Sequence, residues 1–153
     1  DFRIKLSPWG VHLGAEFERS YVVGVRPAIV DRDRLEDASL VLCDNRGAVV
    51  AICAARQAVP FTRNTMPVDF YCLPQFLEKN KQAVVDLIAA TLERVQQSPE
   101  RPKPCRLLFS GVDANKTALF QGLGFTLTAN TYSYFSPDGK MAFEAQEYEK
   151  VIV

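Results

Sequence analysis

One histidine, His12, is all the chain has, and none of its four cysteines stands in a Cys-x-x-Cys pair. A zinc site wants paired ligands at short spacing, and a Ser-His-Asp or Cys-His device needs an imidazole with a nucleophile motif. Neither pattern is present. Cys43, Cys53, Cys72 and Cys105 sit in apolar or strand-like contexts and read as buried reduced thiols, as expected of a cytosolic (cytoplasmic) protein. Net charge is missing too: Lys plus Arg and Asp plus Glu number 18 each, so no field draws the chain to nucleic acid or an anionic membrane. No apolar run approaches the ~20 residues that span a bilayer, and the start does not resemble a signal peptide. Internal repeats and low-complexity tracts are lacking. The opening Asp1-Phe2, with no initiator Met, fits a processed protein or a piece of a longer one.

What remains is an ordinary globular composition. With 153 residues, 48% hydrophobic and 24% charged, the chain is expected to form one domain, residues 1–153, around a real core. The stretch from Met66 to Gln97 organises it. Met66 to Pro74 reads as a buried strand stopped by a proline, Gln75 to Gln82 as a polar joint, and the chain from Ala83 as a helix. Leu77, Val84, Val85, Leu87, Ile88, Leu92 and Val95 recur at spacings of three and four, while Lys81, Gln82, Asp86, Glu93 and Arg94 mostly take the other face. Gln96-Gln97-Ser98-Pro99 ends the helix. A strand running into a helix N-terminus gathers free N–H groups and the positive end of a dipole, which suits an anion such as a phosphate.

Around this core the order is regular. Phe2–Leu6 alternates as a short half-exposed strand, Val11–Val25 is ambiguous, and Asp31–Asp37 reads as a charged turn or short surface helix. Ser39–Cys43 and Ala48–Ala55 are two strands joined by Asp44-Asn45-Arg46-Gly47, with Gly47 supplying a positive φ. Cys105–Ser110 suits a parallel strand beside the central one. Asp113-Ala114-Asn115 can cap a helix over Lys116–Leu123 that ends at Gly124. Phe125–Phe135 and Met141–Tyr148 then form a closing hairpin. The fold class is a mixed α/β sheet with flanking helices.

This order, with the run Asp113-Ala114-Asn115-Lys116-Thr117-Ala118-Leu119-Phe120-Gln121-Gly122-Leu123-Gly124-Phe125, resembles the GCN5-related N-acetyltransferase (GNAT) superfamily. Members commonly carry an Asn, a Leu-Tyr pair and then Gly-Phe here, and Leu119-Phe120 and Gly124-Phe125 match in spacing over a resemblance that spans roughly Leu40 to Tyr148. The resemblance implies a V-shaped opening where two parallel strands splay. Acetyl-CoA or another acyl-CoA would lie there, with its pantetheine against the backbone of Tyr71, Cys72 and Leu73 and its pyrophosphate on the joint. No metal is implied. An amine, on a small molecule or a peptide, attacks the thioester directly. Asp69 is the candidate base or substrate carboxylate, and Tyr71 with Tyr132 or Tyr134 would line the acceptor side.

Two positions depart from the family's pattern. The family's Arg/Gln-x-x-Gly-x-Gly/Ala loop becomes Leu77, Asn80 and Gln82, where Asn80 can still enter the left-handed region and Lys79 and Lys81 supply charge. Phe120 stands where many members place the tyrosine that protonates the thiolate. Each candidate also has a plain structural reading: strand packing for the tyrosines, solvation for the lysines, helix capping for Asn115. The departures leave open a second function, a GNAT-like domain that has lost the reaction and serves as a regulatory or protein-binding module, with neighbouring domains or a second copy as partner. A third is transfer of an unusual acyl group through the altered loop.

Overall fold

The computed structural model describes residues 2–6, 34–56, 64–111, 113–135 and 138–153. Trp9, His12, Val11–Val25 and Asp31–Asp33 lie outside these. Two compact units divide the chain: Asp1–Gln57 with Val68–Arg101, and Ala58–Pro67 with Pro102–Val153.

The first unit is built on strands β1 (Arg3–Leu6), β2 (Arg34–Cys43), β3 (Val49–Arg56) and the later part of β4 (Thr65–Cys72), each antiparallel to the next. β2 from Ala38 and β3 as far as Ala55 are buried without interruption. Asp44 makes their turn, with Oδ1 accepting from the amides of Arg46 at 2.8 Å and Ala48 at 3.0 Å while Gly47 takes φ 83°. The expected turn or helix over Asp31–Asp37 is corrected for its described part. Arg34–Asp37 belongs to β2, and Arg34 pairs with Arg56, because the ladder to β3 outweighs the local preference of a charged run.

Two helices follow β4: α1 (Pro74–Lys79) and α2 (Lys81–Gln97). The polar joint is therefore largely helical, and the long helix starts at Lys81 rather than Ala83. Pro74, read from sequence as a stop, instead opens a helix. At a first helical position its missing N–H has no intrahelical partner to lose, and its fixed φ is already helical. α2 buries Val84, Leu87, Ile88, Thr91, Leu92 and Val95 against β2 and β3. Burial of Leu87 or Ile88, both fully inaccessible, stabilises the unit by about 1.5–3 kcal/mol each. Thr91 takes an apolar position at no polar cost, since its hydroxyl donates to the Leu87 carbonyl at 2.9 Å. Leu77 and Val85 sit at the half-buried margin of the stripe. The helix stops as expected, with the Ser98 amide donating back to Val95 before Pro99.

The second unit takes Thr65–Pro67 of β4, then β5 (Cys105–Gly111), α3 (Ala114–Gly122), β6 (Thr126–Phe135) and β7 (Ala142–Ile152). β4 and β5 are parallel, through the pairs Thr65–Arg106, Met66–Leu107 and Pro67–Leu108. β7 lies between β5 and β6, antiparallel to both, and runs four residues past the expected Tyr148. The class is mixed α/β, as the sequence implied. Gly124, at φ 96°, turns the chain after α3 so that the Phe125 amide reaches the Phe120 carbonyl at 3.0 Å. The Phe125 ring then meets Phe120 edge-on at 5.2 Å, and Phe120 stacks on Phe109 at 3.7 Å. That packing explains the Gly-Phe pair at the helix end.

Candidate functional site

At the end of β4, Leu73 links strand to helix. Its amide donates to Val50 of β3 at 3.1 Å, and its carbonyl accepts from the amides of Phe76 at 3.0 Å and Leu77 at 3.1 Å and from the Cys72 thiol at 3.4 Å. The backbone amide and carbonyl of Leu73 are thus both hydrogen-bonded within the first unit. The Asn80 amide is likewise spent inside α1, on Phe76 at 2.9 Å.

The start of α2 is different. Asn80 caps it with φ −133°, outside the left-handed region proposed for it, and makes no side-chain cap, because its amide group turns back to the Phe76 carbonyl at 3.3 Å. The first turn carries no acidic residue, and Lys79 and Lys81 are exposed on either side of Asn80. A helix start with no carboxylate and no side-chain oxygen to answer its amides keeps its pull on an external anion. Gln82 does not obstruct it. The side chain is exposed and donates to Asp86 Oδ1 at 2.8 Å, along the helix one turn on.

Asp69 is held on β4 by Arg56, whose Nε lies 3.2 Å from Oδ2, with the two side chains 18% and 35% exposed. Tyr71 is half-buried and Cys72 fully buried. All four cysteines are buried and unbridged. Burial pushes the Cys53 thiol up to about 12, only partly offset by a hydrogen bond with Thr91, and raises Cys43 as well. Neither offers a ready thiolate.

In the second unit, Asp113 caps α3 by accepting from the Asn115 amide at 2.8 Å. The expected cap is present, the helix starts at Ala114, two residues before the expected Lys116, and Asn115 is itself exposed. Phe120 has no accessible surface, so its ring presents none to a ligand. Tyr132 is 40% exposed, and its hydroxyl donates to Glu147 Oε1 at 2.8 Å.

Glu147 is the residue that sequence reasoning missed. It is 1% exposed, and its Oε2 accepts from Thr128 Oγ1 at 2.6 Å and Asn130 Nδ2 at 2.8 Å, with Arg106 Nη2 at 3.9 Å. Burial acts to raise its pKa, but the hydrogen bonds from Thr128, Asn130 and Tyr132, with the Arg106 charge, outweigh it and hold the carboxyl below its ordinary range. Arg106 also donates to Glu149. The register of β6 against β7 shifts between Leu127 and Thr131, so the donors rise on a bulge around the carboxylate. One signal was available: Thr128, Asn130 and Tyr132 alternate as polar residues on one strand, and Glu147 follows the inward Ala145 at the same period.

No protein-family model matches the chain, and no curated protein matches it. Solved structures do. A GNAT superfamily phosphinothricin acetyltransferase from Sinorhizobium meliloti, in complex with AcCoA, superposes with a TM-score of 0.64 at 15% identity over 90% of this chain and 80% of that one. The ribosomal-protein-S18-alanine N-acetyltransferase of Escherichia coli gives 0.65 at 14%, over 99% and 94%. An N-acetyltransferase from Staphylococcus aureus Mu50 gives 0.65 at 12%, over 98% of each. The fold is that of the GNAT superfamily, as the resemblance implied. Among the described residues no helix is long and apolar enough to cross a membrane, and no group of three His, Cys, Asp or Glu side chains stands together as a metal site.

Proposed function

We propose that the protein is an acyl-CoA-dependent N-acetyltransferase acting on a small-molecule or peptide amine. The observation that carries this reading is the start of α2, free of acidic residues and of any side-chain cap hydrogen bond, which follows β4 after the short α1, in a chain with the fold of acetyltransferases. Lys79, Lys81 and the first-turn amides of α2, including that of Gln82, hold the pyrophosphate. The β4 backbone at Tyr71 and Cys72 orients the pantetheine.

Acetyl-CoA supplies an activated acyl carbon. The amine nitrogen forms the C–N bond as the C–S bond breaks, and the ammonium proton passes to Asp69, directly or through water. Arg56 keeps Asp69 in place. Tyr71 lines the acceptor side. With Phe120 buried in an aromatic stack, the departing thiolate takes its proton from water. Calorimetry with acetyl-CoA tests the reading: the Lys79→Ala, Lys81→Ala double variant binds roughly tenfold more weakly at low salt and less distinctly at high salt. No heat of binding to the parent at millimolar ligand defeats it.

One observation favours a second reading, a GNAT-like module without the reaction. α1 consumes the amides of Phe76, Leu77 and Asn80 within the joint. If acetyl-CoA binds only after Asn80→Gly with Gln82→Ala, this second reading is the better one.

A further inference from the structure

Among the described residues β6 is the last strand of the second unit's sheet, with β7 on its inner side. A bare edge of this kind templates pairing with another chain unless it is kept short, charged, interrupted by proline or bent by a bulge. β6 uses only the bulge. Its 10 residues, Thr126 to Phe135, contain no charge and no proline and are mostly β-branched or aromatic. The first unit's terminal strand is built the other way. β1 has 4 residues, and Arg3 and Lys5 flank Ile4, so pairing with a second β1 about Ile4 would set Arg3 against Lys5.

The bulge protects only half of β6. Thr128, Ala129 and Asn130 stand against Glu147 alone, whereas Thr131 to Phe135 pair one for one with Gln146 to Ala142. Ala129 to Ser133 are exposed one after another. Successive strand residues point to opposite faces, so this unbroken exposure leaves both faces of β6 open beside its outer edge.

We propose that the Thr131–Phe135 edge is a homodimer interface, in which β6 of two copies pair antiparallel about a two-fold axis at Ser133. Ser133 then opposes Ser133 of the other copy, Tyr132 opposes Tyr134, and Thr131 opposes Phe135. Residues of one face meet residues of the same face, and no pair sets like charges together. The only charge on the adjoining stretch of β7 is Glu144, opposite Ser133. The two Glu144 positions lie three strand spacings apart across the axis, roughly 14 Å, which is beyond the screening length at physiological salt. Five opposed pairs form a small interface, of the weak and reversible class.

Sedimentation equilibrium on the whole chain tests the proposal. The mean mass is expected to rise from that of one chain towards that of two between about 1 and about 500 µM. Ser133→Lys puts two ammonium groups opposite one another at the axis, while within one chain the new lysine faces Glu144, so the fold is kept. Its dimerisation is expected to weaken roughly tenfold, and by less as salt rises. Ser133→Cys reads the register directly, because opposed Cα atoms of an antiparallel pair lie within the span of a disulfide. Mild oxidation is expected to link two chains through Cys at 133 and not through Thr126→Cys, far from the axis, and the four native thiols are buried and do not compete. A parent with the mass of one chain throughout overturns the proposal. So does a dimer that survives Ser133→Lys, or one that Ser133→Cys fails to link. In a monomeric parent, amide shifts at Thr131 and Ser133 on adding an uncharged strand-forming peptide would assign the edge to a foreign strand instead.

Discussion

In the first unit, the strands β2 and β3 and the helix over them bury aliphatic carbon and small residues almost exclusively, from Ala38 through Ala55 and again from Val84 to Val95. In the second unit, an aromatic trio on one side of the topology is matched by a buried carboxylate whose partners come from β6 and β5. The first is held by volume and the second partly by charge. Packing is non-directional and tolerates any residue of similar size, whereas a buried carboxylate must find its donors at fixed distances.

The contrast breaks most readily at Leu87. Leu87→Ala is expected to cost about 4 kcal/mol, because a fully inaccessible side chain leaves a cavity under β2 and β3. A lowered urea midpoint at unchanged slope measures it, and the loss is the same at pH 7 and pH 4.

Glu147→Ala is expected to cost about 3 kcal/mol at pH 7, through three lost hydrogen bonds to a charged group. This loss depends on pH. A carboxyl held below its ordinary value of 4.5 contributes its stability in full above that value and loses it as pH falls through the folded pKa. The gap between parent and variant therefore narrows below pH 4.5, and a gap that stays constant into acid would show that Glu147 acts by volume alone.

Phe120→Tyr sharpens the comparison within the second unit. It restores the family's usual residue but puts a hydroxyl where no surface is accessible, so it destabilises by about 2 kcal/mol and does not raise kcat. Thermal melting and steady-state rates check the two halves. The smallest effect is a gain in the first unit. Ser39 Oγ is buried and has no hydrogen-bond partner among the described residues, so Ser39→Ala is expected to stabilise by about 1 kcal/mol in urea titration.

Legibility divided along the same line. The β2–β3 hairpin, the buried face of α2 and the Gly124-Phe125 turn could be read because each depends on residues within a few positions of one another. Pro74 misled because proline is permitted at both a stop and a start, and the residues after it decide between them. Arg34–Asp37 misled because its strand partner lies some twenty residues away. Asp69 was singled out from its place on the central strand, but its partner Arg56 was not, since a salt bridge between strands leaves no periodicity.

By itself, then, the sequence determined the element order, the apolar stripe of the long helix, the two glycine turns and the resemblance to the GNAT fold, all properties of local spacing. Only tertiary structure decided that Glu147 is buried among donors, that Phe120 is sealed in a stack, that Gln82 leans along its helix, and that β6 ends the sheet. Those are long-range pairings, and a strand's register, set by the whole sheet, chooses which side chains meet.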